Sequence, residues 1–314
     1  MAKDLKTLLK EFLESLEIEK GRSPLTVRNY DFYLKRFLEW AKIEKTTDIT
    51  HDLVRQYHLY LARVRNARGG NLTSATQNYH LIALRVFLTY LINRDLKTLA
   101  PAKIELAKVG ERQIHFLEGN DLEKLLSAPL DAPKEKELVR FRDKAILELL
   151  FSTGLRVSEL CNLKKENINL DKEEFSVKGK GNKWRVVFLS NQAKYWLKKY
   201  FEKRTDLNPY LFVRYDKAAK GKNEDDDRPL TPRSVERLIK KYAKIAGLTQ
   251  KVVVHSLRHS FATDLLQNGA DLRSVQSLLG HKNITTTQIY THVTDQHLKD
   301  VYRAFHDRKR DKQK

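Results

Sequence analysis

Three separated stretches of the chain carry side chains suited to work on a phosphate. In "STGLRVSELCNL", Gly154 is placed to end one helix in the left-handed conformation and Arg156 stands at the start of the next. A guanidinium there can grip two oxygens of an anion beside the open N–H groups of a helix start. Glu159, one turn on, either orients Arg156 or favours the helix N-terminus. In "VVVHSLRHSFATDLLQNGA", His255 and Arg258 are three apart and so share a helix face, pairing a group that titrates near neutrality with a fixed cation. In "SVQSLLGHKNITTTQIYTHV", Gly280 stops a helix, His281 follows, and Tyr290 lies nine residues beyond it. A phenol has a pKa of about 10, so its attack on a phosphodiester needs cations at the phosphate and a base close by. Arg156, Arg258 and His255 are the residue types that supply both.

Each stretch alone has a plainer reading. Arginines at helix starts are commonly surface residues, and a histidine at a helix entry is as readily structural as functional. His259 follows His255 at the i, i+4 spacing of zinc helices, but the intervening Glu of the hydrolytic motif and a nearby third ligand are both missing, so no metal is expected. There is no glycine-rich phosphate loop opening a helix and no carboxylate cluster of the paired-metal kind, so no cofactor is expected either.

The elements that must position these residues fall into two parts. Amphipathic stripes predict four helices in the first hundred residues: Leu5 to Ile18, a second opened by Ser23 and Pro24, a third from about Thr50 to Val64, and a fourth from roughly Ser74 to Asn93. Weak periodicity with Pro101 and Gly110 places a linker at 99–115, between a helical domain at 1–98 and a second domain at 116–314. The second part reads as helices near 120–127, 137–153, 191–203, 232–246, 256–268, 272–279 and 295–307. Two strands in "EFSVKGKGNKWRVVFLS" are joined by a turn of Gly, Lys and Asn. The fold class is therefore mainly α with a small β-sheet. Sixty Lys and Arg against 40 Asp and Glu leave a formal charge of +20, with an excess in both parts, which points to a polyanion gripped by two modules. A lone cysteine, Cys161, and the lack of a signal-like or membrane-spanning segment lead us to expect a cytoplasmic protein.

"TGLRVSEL", "HSLRHSFAT" and "LLGHKNITTTQIYTHV", with the lysine hairpin "VKGKGNKWRVV" between the first two, resemble the tyrosine recombinases of the phage integrase family, and most of all its Xer members. The resemblance implies a SAM-like helical core-binding domain ahead of an α+β catalytic domain. It makes Tyr290 the nucleophile that forms a 3′-phosphotyrosyl link to DNA, Arg156 and Arg258 the holders of the non-bridging oxygens, and His255 the general base. His281 would hydrogen-bond the phosphate, and Lys180, in the hairpin turn, would be the acid at the leaving 5′-oxygen. The partners implied are a double-stranded DNA recombination site, four protomers exchanging strands through a Holliday junction, and in some settings a second recombinase. The stripe Leu298, Val301, Tyr302 and Phe305 either packs a terminal helix on its own domain or, as the resemblance implies, docks it on a neighbouring protomer.

Candidate DNA contacts in the basic helices are Thr73, Ser74, Thr76, Gln77 and Arg85, with Lys183 in the hairpin. The task most in keeping with the Xer likeness is resolution of chromosome dimers. Integration of a phage or mobile element, a type IB topoisomerase and a catalytically inactive DNA-binding protein are the alternatives.

Overall fold

The structure, a computed structural model, describes residues 4–65, 69–110, 116–132, 135–179, 183–215 and 229–280. The chain divides into two compact units, Met1–Arg112 and Gln113–Lys314.

The first unit is built from α1 (Leu5–Ile18), α2 (Pro24–Ala41), α3 (His51–Arg63) and α4 (Ser74–Ile92). Each begins on a side-chain oxygen: Asp4, Ser23, Thr50 and Thr73 accept the backbone N–H of Thr7, Thr26, Leu53 and Thr76 at 2.9–3.3 Å. Such caps satisfy donors that the helix itself leaves open, worth about 1 kcal/mol apiece. α4 is apolar on nearly every side because the other three helices pack around it; Leu81, Leu84, Phe87, Leu88 and Leu91 are all buried. The residues after α4 remain with this unit. Asn78 donates to the Ala107 carbonyl at 2.8 Å and accepts from its N–H at 3.0 Å, so part of the stretch expected as a linker is tied to α4.

The second unit holds α5 (Gly119–Ser127), α6 (Glu137–Thr153), α7 (Val157–Cys161), β1 (Glu174–Lys178), β2 (Trp184–Phe188), α8 (Asn191–Lys203), α9 (Pro232–Ile245), α10 (Val254–Gln267) and α11 (Leu272–Leu279). α6 is its central helix, with Ile146, Leu147, Leu149 and Leu150 buried between α8 and α10. The strands pair antiparallel from Glu174 opposite Phe188 to Lys178 opposite Trp184. Alternation along β1 buries Phe175 and Val177, and the register sets Val187 and Arg185 across from them. An arginine thus occupies a strand position where an apolar residue is the norm. α10 begins two residues earlier than the sequence pattern suggests, which takes His255 into its first turn. α11 packs on α10 through Val275 and Leu279 against Ala262 and Leu266.

Among the described residues no helix is long and apolar enough to cross a membrane. The expected helix at 295–307 and most of the charged loop before α9 lie outside the described residues.

Candidate active site

Two glycines shape the frame of the site. α6 ends at Gly154 with φ of +58°, a left-handed cap that a side chain disfavours, and a Cβ there would stand 2.6 Å from Phe261 Cδ1. The chain therefore turns sharply over α10 and delivers Arg156 as the residue that caps α7. α11 ends in the same manner at Gly280, φ +62°.

Glu159 does both things its position allows. Its Oε2 accepts the Arg156 backbone N–H at 2.9 Å, and its Oε1 accepts Arg156 Nη1 at 2.8 Å. The same carboxylate receives a forked pair from Arg185, Nη1 to Oε1 at 2.9 Å and Nη2 to Oε2 at 2.8 Å. Burial alone would raise the Glu159 pKa, but the bonds from Arg185 and Arg156 outweigh it and hold the group down at about 2. Glu159 is a fixed anion shared by two cations.

Arg258 comes from a distant part of the sequence, in the second turn of α10, and is 4% exposed. Its guanidinium donates to the carbonyls of Gly154 and Leu279. Arg156 Nη2 donates to the Gly280 carbonyl at 3.3 Å, and Arg185 Nε to the Leu278 carbonyl at 3.1 Å. The last turn of a helix leaves its carbonyls open and carries partial negative charge. Here the Gly280 N–H bonds back to Gln276 and Ser277, while three guanidiniums from three elements take the next three carbonyls in order. This gathers positive charge at the point where the chain leaves α11. A cavity of about 800 Å³ opens alongside, lined by Arg156, Glu159, Asn162, Lys178 and Trp184 among others.

His255 is exposed on α10, one turn before His259, with ring centroids 6.4 Å apart. Burial draws the His259 pKa down to about 4, and the charges of His255 and Arg258 add to the effect, so it is neutral at pH 7. Among the described residues no group of three His, Cys, Asp or Glu side chains is arranged to hold a metal ion. Lys180, His281 and Tyr290 lie outside the described residues; the backbone flanking Lys180 is closed by a bond from Gly179 N–H to the Lys183 carbonyl at 2.7 Å.

Three of the candidate DNA contacts, Thr73, Gln77 and Arg85, have local roles in the first unit. Thr73 caps α4, Gln77 donates to the Leu72 carbonyl at 2.8 Å and is 9% exposed, and the Arg85 guanidinium donates to the Ile104 carbonyl. Ser74, Thr76 and Lys183 stand at or near the surface.

Arg185 was not singled out by sequence reasoning. The alternation of β2 carries its signal, since a charged residue on the inward register of a strand must have a buried partner.

A model of the phage integrase family matches residues 115–297, and a model of the N-terminal SAM-like domain of phage integrases matches residues 9–95. The chain belongs to the phage integrase family. It is 37% identical over 296 residues to the tyrosine recombinase XerC of Thermodesulfovibrio yellowstonii, spanning 94% of each chain. To XerA of Pyrococcus furiosus it is 39% identical, spanning 94% of this chain and 92% of that one. A lambda integrase tetramer bound to a Holliday junction shares the fold, with a TM-score of 0.67 at 20% identity over 90% of this chain and 79% of that one. The protein is thus a tyrosine recombinase of the Xer and integrase type, a site-specific DNA recombinase.

Proposed function

We propose that this recombinase cuts and rejoins double-stranded DNA at specific sites with Tyr290 as nucleophile. The observation that carries the reading is the convergence of Arg156 and Arg258, about a hundred residues apart in sequence, on the adjacent carbonyls of Gly280 and Leu279, next to the segment leading to Tyr290. Two guanidiniums so placed suit the two non-bridging oxygens of one phosphate and stabilise the charge that develops on them. The Tyr290 oxygen forms a bond to phosphorus as the bond to the 5′-oxygen breaks. His255 takes the phenolic proton, His281 donates a hydrogen bond to the phosphate, and Lys180 gives a proton to the leaving oxygen. The product is a 3′-phosphotyrosyl ester and a free 5′-hydroxyl. Attack of a hydroxyl from the partner duplex reverses the step at nearly equal energy, so neither nucleotide nor metal is called for.

The Xer relatives favour chromosome dimer resolution in the cytoplasm as the task, and the lambda tetramer supports four protomers acting through a Holliday junction, with or without a second recombinase. The N-terminal unit would contact the duplex as well, with Thr73, Ser74, Thr76, Gln77 and Arg85 near it and Lys183 reaching it from the hairpin.

The test is a DNA substrate nicked beside the cleavage site, incubated in EDTA. A covalent complex is expected with the wild type and not with Tyr290→Phe; an adduct that persists in Tyr290→Phe, or one that needs a divalent metal, overturns the assignment. Supercoil relaxation without recombination between two sites would point to topoisomerase chemistry instead.

A further inference from the structure

We propose that Arg185 is a positioning residue that sets the placement of the phosphate-binding Arg156 by fastening the hairpin, the start of α7 and the end of α11 to one another; this rests on the proposed role of Arg156. Arg185 is 9% exposed along its side chain, and its donors are directed into protein: two to Glu159 and one to the Leu278 carbonyl. It is therefore not placed as a phosphate ligand.

Two independent features of the backbone fit the same role. A Cβ on Gly280 would stand 2.9 Å from Arg185 Cδ, and one on Gly179 would stand 3.3 Å from both Arg185 Nη1 and Glu159 Oε1. The end of α11 and the end of β1 both press against this one side chain, at distances that only a residue without a Cβ accepts comfortably. The three segments so joined lead to His281 and Tyr290, carry Arg156, and lead into Lys180. Without Arg185, Glu159 keeps Arg156 as its only described guanidinium partner, and the Leu278 carbonyl loses its donor. Arg156 is then free to collapse fully onto Glu159 and away from the phosphate. Lysine is no substitute, because a single ammonium cannot fork to both carboxylate oxygens and also reach the carbonyl.

The experiment compares Arg185→Gln and Arg185→Lys with wild-type full-length protein, after circular dichroism and thermal melting show which variants are folded. Adduct formation is timed on the nicked DNA with either a normal scissile phosphate or a neutral methylphosphonate there, and affinity is measured on the intact duplex. A displacement of about 1 Å at a reacting group costs on the order of 100-fold in rate. The expected result is a drop of that order on the phosphate in both variants, DNA affinity within about threefold of wild type, and a drop under about tenfold on the methylphosphonate, where Arg156 has less charge to neutralise. A defect equal on both linkages, one confined to DNA affinity, or full activity in either folded variant overturns the assignment. If Gln does not fold, the Lys variant alone decides. Failure of the wild type to form an adduct on the phosphate would instead refute the function proposed above.

Discussion

Glu159→Gln tests whether the site is held together by charge or by shape. The substitution keeps the volume and one acceptor, but it turns an NH₂ toward guanidiniums that need acceptors. A carboxylate held at about 2 against an ordinary 4.5 corresponds to about 3.4 kcal/mol, at 1.36 kcal/mol per tenfold. Removing one partner of a buried ion pair costs about 3–5 kcal/mol by a separate route, because Arg185 would be left buried with its fork unanswered. The two agree on a loss of about 3 kcal/mol at pH 7. Because the folded value lies below the unfolded one, this stabilisation is complete above about pH 4.5 and is lost as pH falls toward 2; about 1.4 kcal/mol remains at pH 3. The assay is urea unfolding in a Trp40→Phe background, in which Trp184 and Trp196, both in the second unit, provide the fluorescence. The stability gap between the protein with its native carboxylate and the Glu159→Gln variant is expected to shrink by more than half between pH 7 and pH 3. A gap that stays constant across that range would show that packing, and not the anion, is what the substitution removes.

Two further outcomes follow from the geometry. Gly154→Ala should lose about 1–2 kcal/mol to the left-handed backbone and up to about 3 more to the contact with Phe261. Gly247→Ala, also at positive φ but with nothing within 4 Å of the added carbon, should show the backbone cost alone in urea unfolding, and equal losses at the two sites would refute the contact. His80, 1% exposed beside Tyr33 and within 3.2 Å of the Tyr57 hydroxyl, is held down at about 4 by burial and secondarily by Arg36. Since it folds neutral, its contribution is intact above about pH 6.5 and is lost toward pH 4, worth about 3 kcal/mol. His80→Gln should remove that much of the acid destabilisation of the first unit, and an unchanged pH dependence would sink the assignment.

The sequence was enough for the elements and for the family. Helix stripes, caps such as Ser23 with Pro24, and the alternation around the hairpin are local properties, set by neighbours within a few residues, and among the described residues they appear in the structure within a residue or two. The mostly helical class with one small sheet could be read for the same reason. Gly154 and Gly280 were also legible, because a left-handed cap is a requirement that one residue states by itself. What sequence could not supply was who meets whom. Arg156 and Arg258 share a site only because α6 turns at Gly154 directly over α10 and the end of α11 is packed between them. Arg185 drew no notice as one basic residue among sixty, and its burial against Glu159 makes it a structural centre. Gln77 and Arg85, expected as contacts for DNA, each also donate to a backbone carbonyl of their own unit, a pairing the sequence does not state. Charge on a chain announces a polyanionic partner, but which charges remain for that partner depends on which the fold has already paired, and that pairing is a property of distance in space.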